Sequence, residues 1–195
     1  RVHVLTNIYE SATNWDSSSY FIPDISLPTI RKGIYSMNGY NPQNPNRLVV
    51  AVHPYCFGYD PSEVSFRDDH QDYLTYLPRL ERLVQQHKGP LVTLESGGRI
   101  ERTADKYRAL GRMDDSYFIM SWPAGPSPIE FGDRWEEVAR FLKEFDTSQT
   151  ICLVGGELMD PDVWGFQNPG CLGSTFRNLR KEGLPVEILR KVTFS

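Results

Sequence analysis

Arg47-Leu48-Val49-Val50-Ala51-Val52-His53 is the stretch whose reading decides the fold. Five apolar residues follow one another without a polar break. A strand with one face in water would alternate, so this run predicts a strand covered on both faces, the kind found in parallel sheets. It ends on a histidine, which the chain therefore delivers at the carboxyl end of that strand.

Working downstream, short apolar runs and amphipathic segments alternate. Leu74, Leu77, Leu80, Leu83 and Val84 stand at helical spacing in residues 72–87, with Gly89 as the stop. Pro78 lies inside this segment and predicts a helix start or a kink there. Leu91-Val92-Thr93-Leu94 reads as a second strand, and a short helical pattern follows around 104–110. Tyr117-Phe118-Ile119-Met120 reads as a third strand. Asp133 with Glu136 three residues on resembles a capping box, opening a helix with Trp135, Val138, Ala139, Leu142 and Phe145 inward. Ile151-Cys152-Leu153-Val154 is the fourth strand. Leu172, Thr175, Phe176 and Leu179 line a helix closed by Gly183, and Val186-Glu187-Ile188-Leu189 is the fifth strand. This alternation predicts an α/β fold: a doubly wound, mainly parallel sheet of about five to six strands with helices on both faces.

Working upstream, residues 1–46 differ in character. They are rich in Ser, Asn, Pro and Tyr and show no sustained period. They are expected to form an N-terminal extension that wraps the surface, with the apolar stretch Val2 to Ile8 available as an edge strand. Residues 47–195 are the α/β domain.

The bulk properties exclude several functions. The net charge is −4 over 195 residues, with Lys and Arg scattered, which leaves no footprint for nucleic acid. The densest basic group, Arg177, Arg180 and Lys181, reads as a solvated helix face. No apolar run is long enough for a membrane span, and no signal-peptide pattern opens the chain at Arg1. Cys56, Cys152 and Cys171 are an odd number without CxxC spacing, which argues against a disulfide framework and a structural zinc site. Free thiols in a reducing, cytoplasmic setting are expected. His3, His70 and His87 have no ligand spacing with one another, so neither a metal nor another cofactor is expected.

In a parallel sheet ligands bind beyond the carboxyl ends of the strands, so those ends are read for chemistry. They hold His53 with Cys56 three residues on, then Glu95, then Ser121 and Trp122, then Glu157 after Gly155-Gly156. Cys171 stands within Asn168-Pro169-Gly170-Cys171-Leu172, where turn residues run into a helix. A helix N-terminus offers unpaired N–H groups and a positive dipole end, which lower a thiol pKa and can bind an oxyanion. Cys171 is thus the candidate nucleophile, His53 the candidate base and Glu95 the candidate orienter of its ring. Cys56, Ser121, Trp122, Glu157, Gly170 and Leu172 are candidates for contact with substrate. Each has a plainer reading: Cys171 as a small residue in a tight turn, His53 bonded to loop backbone, Gly155-Gly156 as a tight strand exit. Cys152, in mid-strand, reads as a buried inert thiol.

Four stretches together resemble the isochorismatase-like cysteine hydrolase superfamily. They are Leu48 to Val52 with the following helix and Gly89-Pro90-Leu91-Val92-Thr93; Asp115 to Met120; the helix from Asp133 into Ile151 to Gly156; and Gly170-Cys171-Leu172 with Ser174-Thr175, Leu179, Gly183 and Val186. The resemblance covers roughly residues 47 to 194. It implies hydrolysis of C–N or ether-type bonds of small molecules by a Cys, Asp and Lys triad, with Cys171 as the cysteine. His53 stands where the family has its Asp, and Met120-Ser121-Trp122 stands where it has its Lys. No lysine lies between Lys106 and Lys143. Two functions are therefore expected in competition: a cysteine-dependent hydrolase of a small amide- or ester-type carbonyl compound, rebuilt around His53 and Glu95, or a non-catalytic module binding a small molecule or a protein. A small-molecule ligand is the expected partner, and a homo-oligomer is compatible with either.

Overall fold

The computed structural model describes residues 3–5, 30–31, 34–35, 47–56, 58–63, 70–96, 99–112, 115–121, 135–158 and 170–194. In chain order the elements are β1 (His3–Leu5), β2 (Ile30–Arg31), β3 (Ile34–Tyr35), β4 (Val49–Val52), α1 (His70–Gln86), β5 (Leu91–Ser96), α2 (Ile100–Ala109), β6 (Ser116–Ser121), α3 (Trp135–Leu142), β7 (Ile151–Gly155), α4 (Gly170–Lys181) and β8 (Val186–Ile188). Short 3-10 turns cover Pro61–Glu63 and Arg190–Val192.

The strand order is β1-β6-β5-β4-β7-β8, and every neighbouring pair is parallel. The five strands read from the sequence are all present, in the expected places. The apolar run ending at Val52 is the middle of this sheet: β4 is buried at every residue, with Val50 facing Val92 on one side and Leu153 on the other. A central strand has no wet face and no free edge, which is why its sequence does not alternate.

The two pleat faces of the sheet carry two separate cores. Val50 and Val52 belong to one, packed with Val138, Phe141 and Leu142 of α3 and Leu172 and Leu179 of α4. Val49 and Ala51 belong to the other, with Tyr73, Tyr76 and Leu80 of α1 and Ala104 and Tyr107 of α2. Helices on both faces make the sheet doubly wound. Each fully buried aliphatic side chain here contributes about 1.5–3 kcal/mol relative to exposure.

Of the two readings of Pro78, the helix start is set aside, while the edge strand expected within Val2 to Ile8 is present. Pro78 neither starts nor ends α1, which runs through it. Pro78 is exposed, so the carbonyl deprived of its helical N–H partner faces the solvent side, where water can serve it. From the N-terminal region, His3–Leu5 joins the main sheet as its edge strand, pairing with Tyr117–Ile119 of β6. The capping box at Asp133 lies outside the described residues.

From β4 the chain steps outward to β5 and β6, then returns across β4 to β7 and β8. That reversal puts a topological switch point at the carboxyl ends of β4 and β7, where the helices on either side leave in opposite directions. Among the described residues, no helix is long and apolar enough to cross a membrane.

Candidate functional site

The switch point is closed by backbone packed against backbone. Val52 ends β4 beside Gly155, the last residue of β7. Gly155 and Gly156 take φ of 76° and 55°, and a Cβ on Gly156 would sit 2.8 Å from Cys171 Sγ and 2.9 Å from Val52 O. Only glycine gives both the turn and the approach. Gly155-Gly156 is therefore a tight strand exit, the plainer of its two readings.

Cys171 follows Gly170 at the start of α4 and is 4% exposed. Its sulfur accepts a hydrogen bond from the Glu157 N–H at 3.1 Å. The N–H of Leu172 is already donated to the Glu157 carbonyl at 3.1 Å. Glu157 in turn bridges to Phe194 near the end of the chain. These contacts fill the helix start with protein. Burial pushes the Cys171 thiol up to about 11, against the smaller opposite effect of the backbone N–H groups of Glu157 and Leu172. The helix start was expected to lower this pKa; desolvation outweighs it.

His53 leaves β4 with φ of 40°, in the left-handed region, and donates its backbone N–H to Leu94 O at 2.8 Å. Burial, assisted by the Arg99 guanidinium, lowers its pKa to about 4, so the imidazole is neutral at pH 7. The next turn closes with Cys56 N–H on His53 O at 3.0 Å. Burial pushes the Cys56 thiol well up, with Cys171 and then Glu95 adding to the effect and Arg99 opposing it. These groups thus share one edge of the sheet.

Glu95 is fully buried and its two oxygens are both engaged. Oε1 accepts the Ser96 N–H at 2.9 Å, and Oε2 accepts the Thr103 hydroxyl at 3.0 Å. Burial raises its carboxyl pKa to about 7 despite these bonds. Its partners are Ser96 and Thr103, rather than the His53 ring it was expected to orient. Likewise the sulfur of Cys171 is held by Glu157 rather than by His53. The structure brings the three residues to one sheet edge without joining them as nucleophile, base and orienter.

Of the remaining candidates, Gly170 and Leu172 are buried in the helix start and Ser121 ends β6 opposite Ser96. Trp122 lies outside the described residues. The sequence reading overlooked Arg99, Tyr59 and Thr103. Arg99 donates from Nη1 to Tyr55 O at 3.0 Å. Tyr59 OH donates to Arg99 O at 3.2 Å and lies 3.1 Å from Thr103 Oγ1. The signal for Arg99 was its place four residues beyond Glu95, in the exit from a strand. Cys152 is buried in β7, as its mid-strand position implied. Among the described residues, no group of three His, Cys, Asp or Glu side chains is arranged to hold a metal ion.

Comparison of the chain with family models, curated proteins and solved structures finds no match.

Proposed function

We propose that this chain is a small-molecule-binding module on an isochorismatase-like fold, with its ligand at the carboxyl edge of β4, β5 and β7, and that it does not use Cys171 as a nucleophile. The observation that carries this reading is the condition of that thiol. It is 4% exposed, its sulfur is bonded to the Glu157 backbone, and burial pushes it up to about 11. A thiol in that state is almost wholly protonated at neutral pH, and only the thiolate attacks. The absence of the family's Asp and Lys from His53 and from Met120-Ser121-Trp122 supports the same reading. The free cysteines fit a cytoplasmic setting.

A cysteine-dependent hydrolase is the second reading, and Glu95 favours it. A carboxyl whose pKa is raised to about 7 exchanges its proton readily at neutral pH, which suits an acid–base group. On this reading the thiol proton passes to a base at this edge while sulfur bonds to the substrate carbonyl. The leaving group departs with a proton, and water then releases the acid from the thioester.

An activated ester separates the two. The protein is incubated with p-nitrophenyl acetate, quenched, and each cysteine peptide is examined by mass spectrometry. The binding reading expects no more acetyl thioester on Cys171 than on Cys152. Rapid acetylation of Cys171, lost in Glu95→Gln and with turnover of the ester, would establish the hydrolase instead.

A further inference from the structure

We propose that Arg99 is the ligand-binding cation of this edge and that the ligand it takes carries a single carboxylate. This names the ligand class for the binding reading above. The basic residues of and beside α2 differ in how they are matched. Arg99, Arg102 and Lys106 follow one another at positions i, i+3 and i+7 along one side of the helix. Arg102 pairs with Glu63 and its guanidinium lies 4.1 Å over the Tyr59 ring. Lys106 pairs with Glu81 at 3.2 Å. Arg99 has no such carboxylate among the described residues. Its Nη1 donates to the Tyr55 carbonyl at 3.0 Å, which fixes the group and, among the described residues, leaves most of its five N–H donors uncommitted.

Glu95 meets this charge at Coulombic range without a salt bridge to it. Both oxygens of Glu95 are engaged by Ser96 and Thr103. Burial holds much of the Glu95 population protonated near neutral pH and keeps His53 neutral. The edge therefore presents one half-buried, fixed cation with no carboxylate in salt-bridge contact among the described residues. Withdrawing a guanidinium from water without pairing it is unfavourable, and an arriving anion offsets that cost. The planar fork of Arg matches a carboxylate in two parallel hydrogen bonds. A singly charged group balances the single cation. A phosphate dianion would carry a second negative charge that the single guanidinium leaves unbalanced, since Arg102 and Lys106 are already paired with Glu63 and Glu81.

Oxamate and its uncharged analogue oxamide test this, since they differ by one carboxylate. Melting temperature is followed against concentration of each, at constant ionic strength and neutral pH, for wild type, Arg99→Gln, Arg99→Lys and Arg102→Gln. A ligand that binds the native state raises the melting temperature by an amount that grows with the logarithm of its concentration relative to its Kd. Oxamate is expected to stabilise wild type and Arg102→Gln, and oxamide to do so at least about tenfold more weakly in apparent affinity. Arg99→Gln should lose the preference for oxamate, and Arg99→Lys should keep part of it. The glutamine amide can still donate to Tyr55 O, and circular dichroism verifies that the fold is retained. Equal response to the two compounds, no response to either, or an unchanged preference in Arg99→Gln overturns the proposal. Acetylation of Cys171 in the ester experiment would overturn the binding reading alone, because oxamate discrimination by Arg99 does not depend on thiol chemistry.

Discussion

Thr103 Oγ1 donates a 3.0 Å hydrogen bond to Glu95 Oε2 from the second turn of α2, inside the sheet edge where β5 ends. The same hydroxyl lies 3.1 Å from Tyr59 OH, and Tyr59 reaches Arg99 O at 3.2 Å. A helix on one face of the sheet thus holds the strand-end carboxyl from behind, while Ser96 N–H holds it from the strand. Fully buried, Glu95 keeps its position but loses the solvation of its charge. Its raised pKa follows from that environment.

Stability should therefore depend on pH through Glu95. The folded carboxyl is raised from 4.5 to about 7, so the protein gains from its protonation. That gain is complete below about pH 4.5 and is lost as pH rises through about 7. Glu95→Gln keeps an acceptor for Ser96 N–H and carries no charge. It should be more stable than wild type at pH 8 by on the order of 2–3 kcal/mol, and equal to it near pH 4. Urea denaturation at the two pH values measures the difference; a constant offset would show that Glu95 does not titrate in this range.

His53 acts in the opposite direction. Its pKa falls from 6.5 to about 4 on folding, so folding favours the neutral ring. The stability this supplies is present above pH 6.5 and is lost as pH falls toward 4. Asparagine tolerates the φ of 40° better than most residues. His53→Asn should thus remove an acid-induced loss on the order of 2 kcal/mol between pH 6.5 and 4, measured as the difference from wild type in the same denaturation series. If the two proteins lose stability in parallel, the histidine is not the group responsible.

Gly156 and Gly183 separate strain from collision. Both have positive φ, but a Cβ on Gly183 would meet nothing within 4 Å. Gly183→Ala should cost about 1–2 kcal/mol, the strain of a left-handed alanine. Gly156→Ala adds contacts at 2.8 Å with Cys171 Sγ and 2.9 Å with the Val52 carbonyl, and should cost at least about 2 kcal/mol more. Removing the sulfur in Gly156→Ala/Cys171→Ala relieves only one of the two contacts, so recovery should be partial. Thermal melts of the three variants decide this, and equal losses in Gly156→Ala and Gly183→Ala would refute the packing described.

Alkylation reads the state of Cys171 directly. With the thiol raised to about 11, its reaction with iodoacetamide should be slow at pH 7 and rise about tenfold per pH unit up to that value. Peptide mass spectrometry over a pH series gives the curve. A plateau reached below pH 8 would mean an activated thiolate and would return Cys171 to the role of nucleophile.

What the sequence determined by itself was the architecture. Leu48 to Val52 read as a strand covered on both faces, because five apolar residues in succession leave no polar side for water. The helical spacing of Leu77 and Leu80, and of Val138 and Leu142, supplied that cover in alternation with further strands. The strand ends followed, and with them the residues worth asking about: His53, Cys56, Glu95, Glu157 and Cys171. The tertiary structure alone decided what those residues are. Whether a thiol at a helix start is activated depends on how much water reaches it, and burial at Cys171 outweighs its N–H donors. Whether Glu95 orients a histidine depends on which donors the fold brings within reach, and Thr103 from α2 occupies the place. Whether Arg99 is one more matched surface charge depends on the distribution of Glu63 and Glu81, which lie far from it in sequence. Strand and helix periods are local properties of the chain, whereas desolvation and pairing arise between segments brought together only by folding.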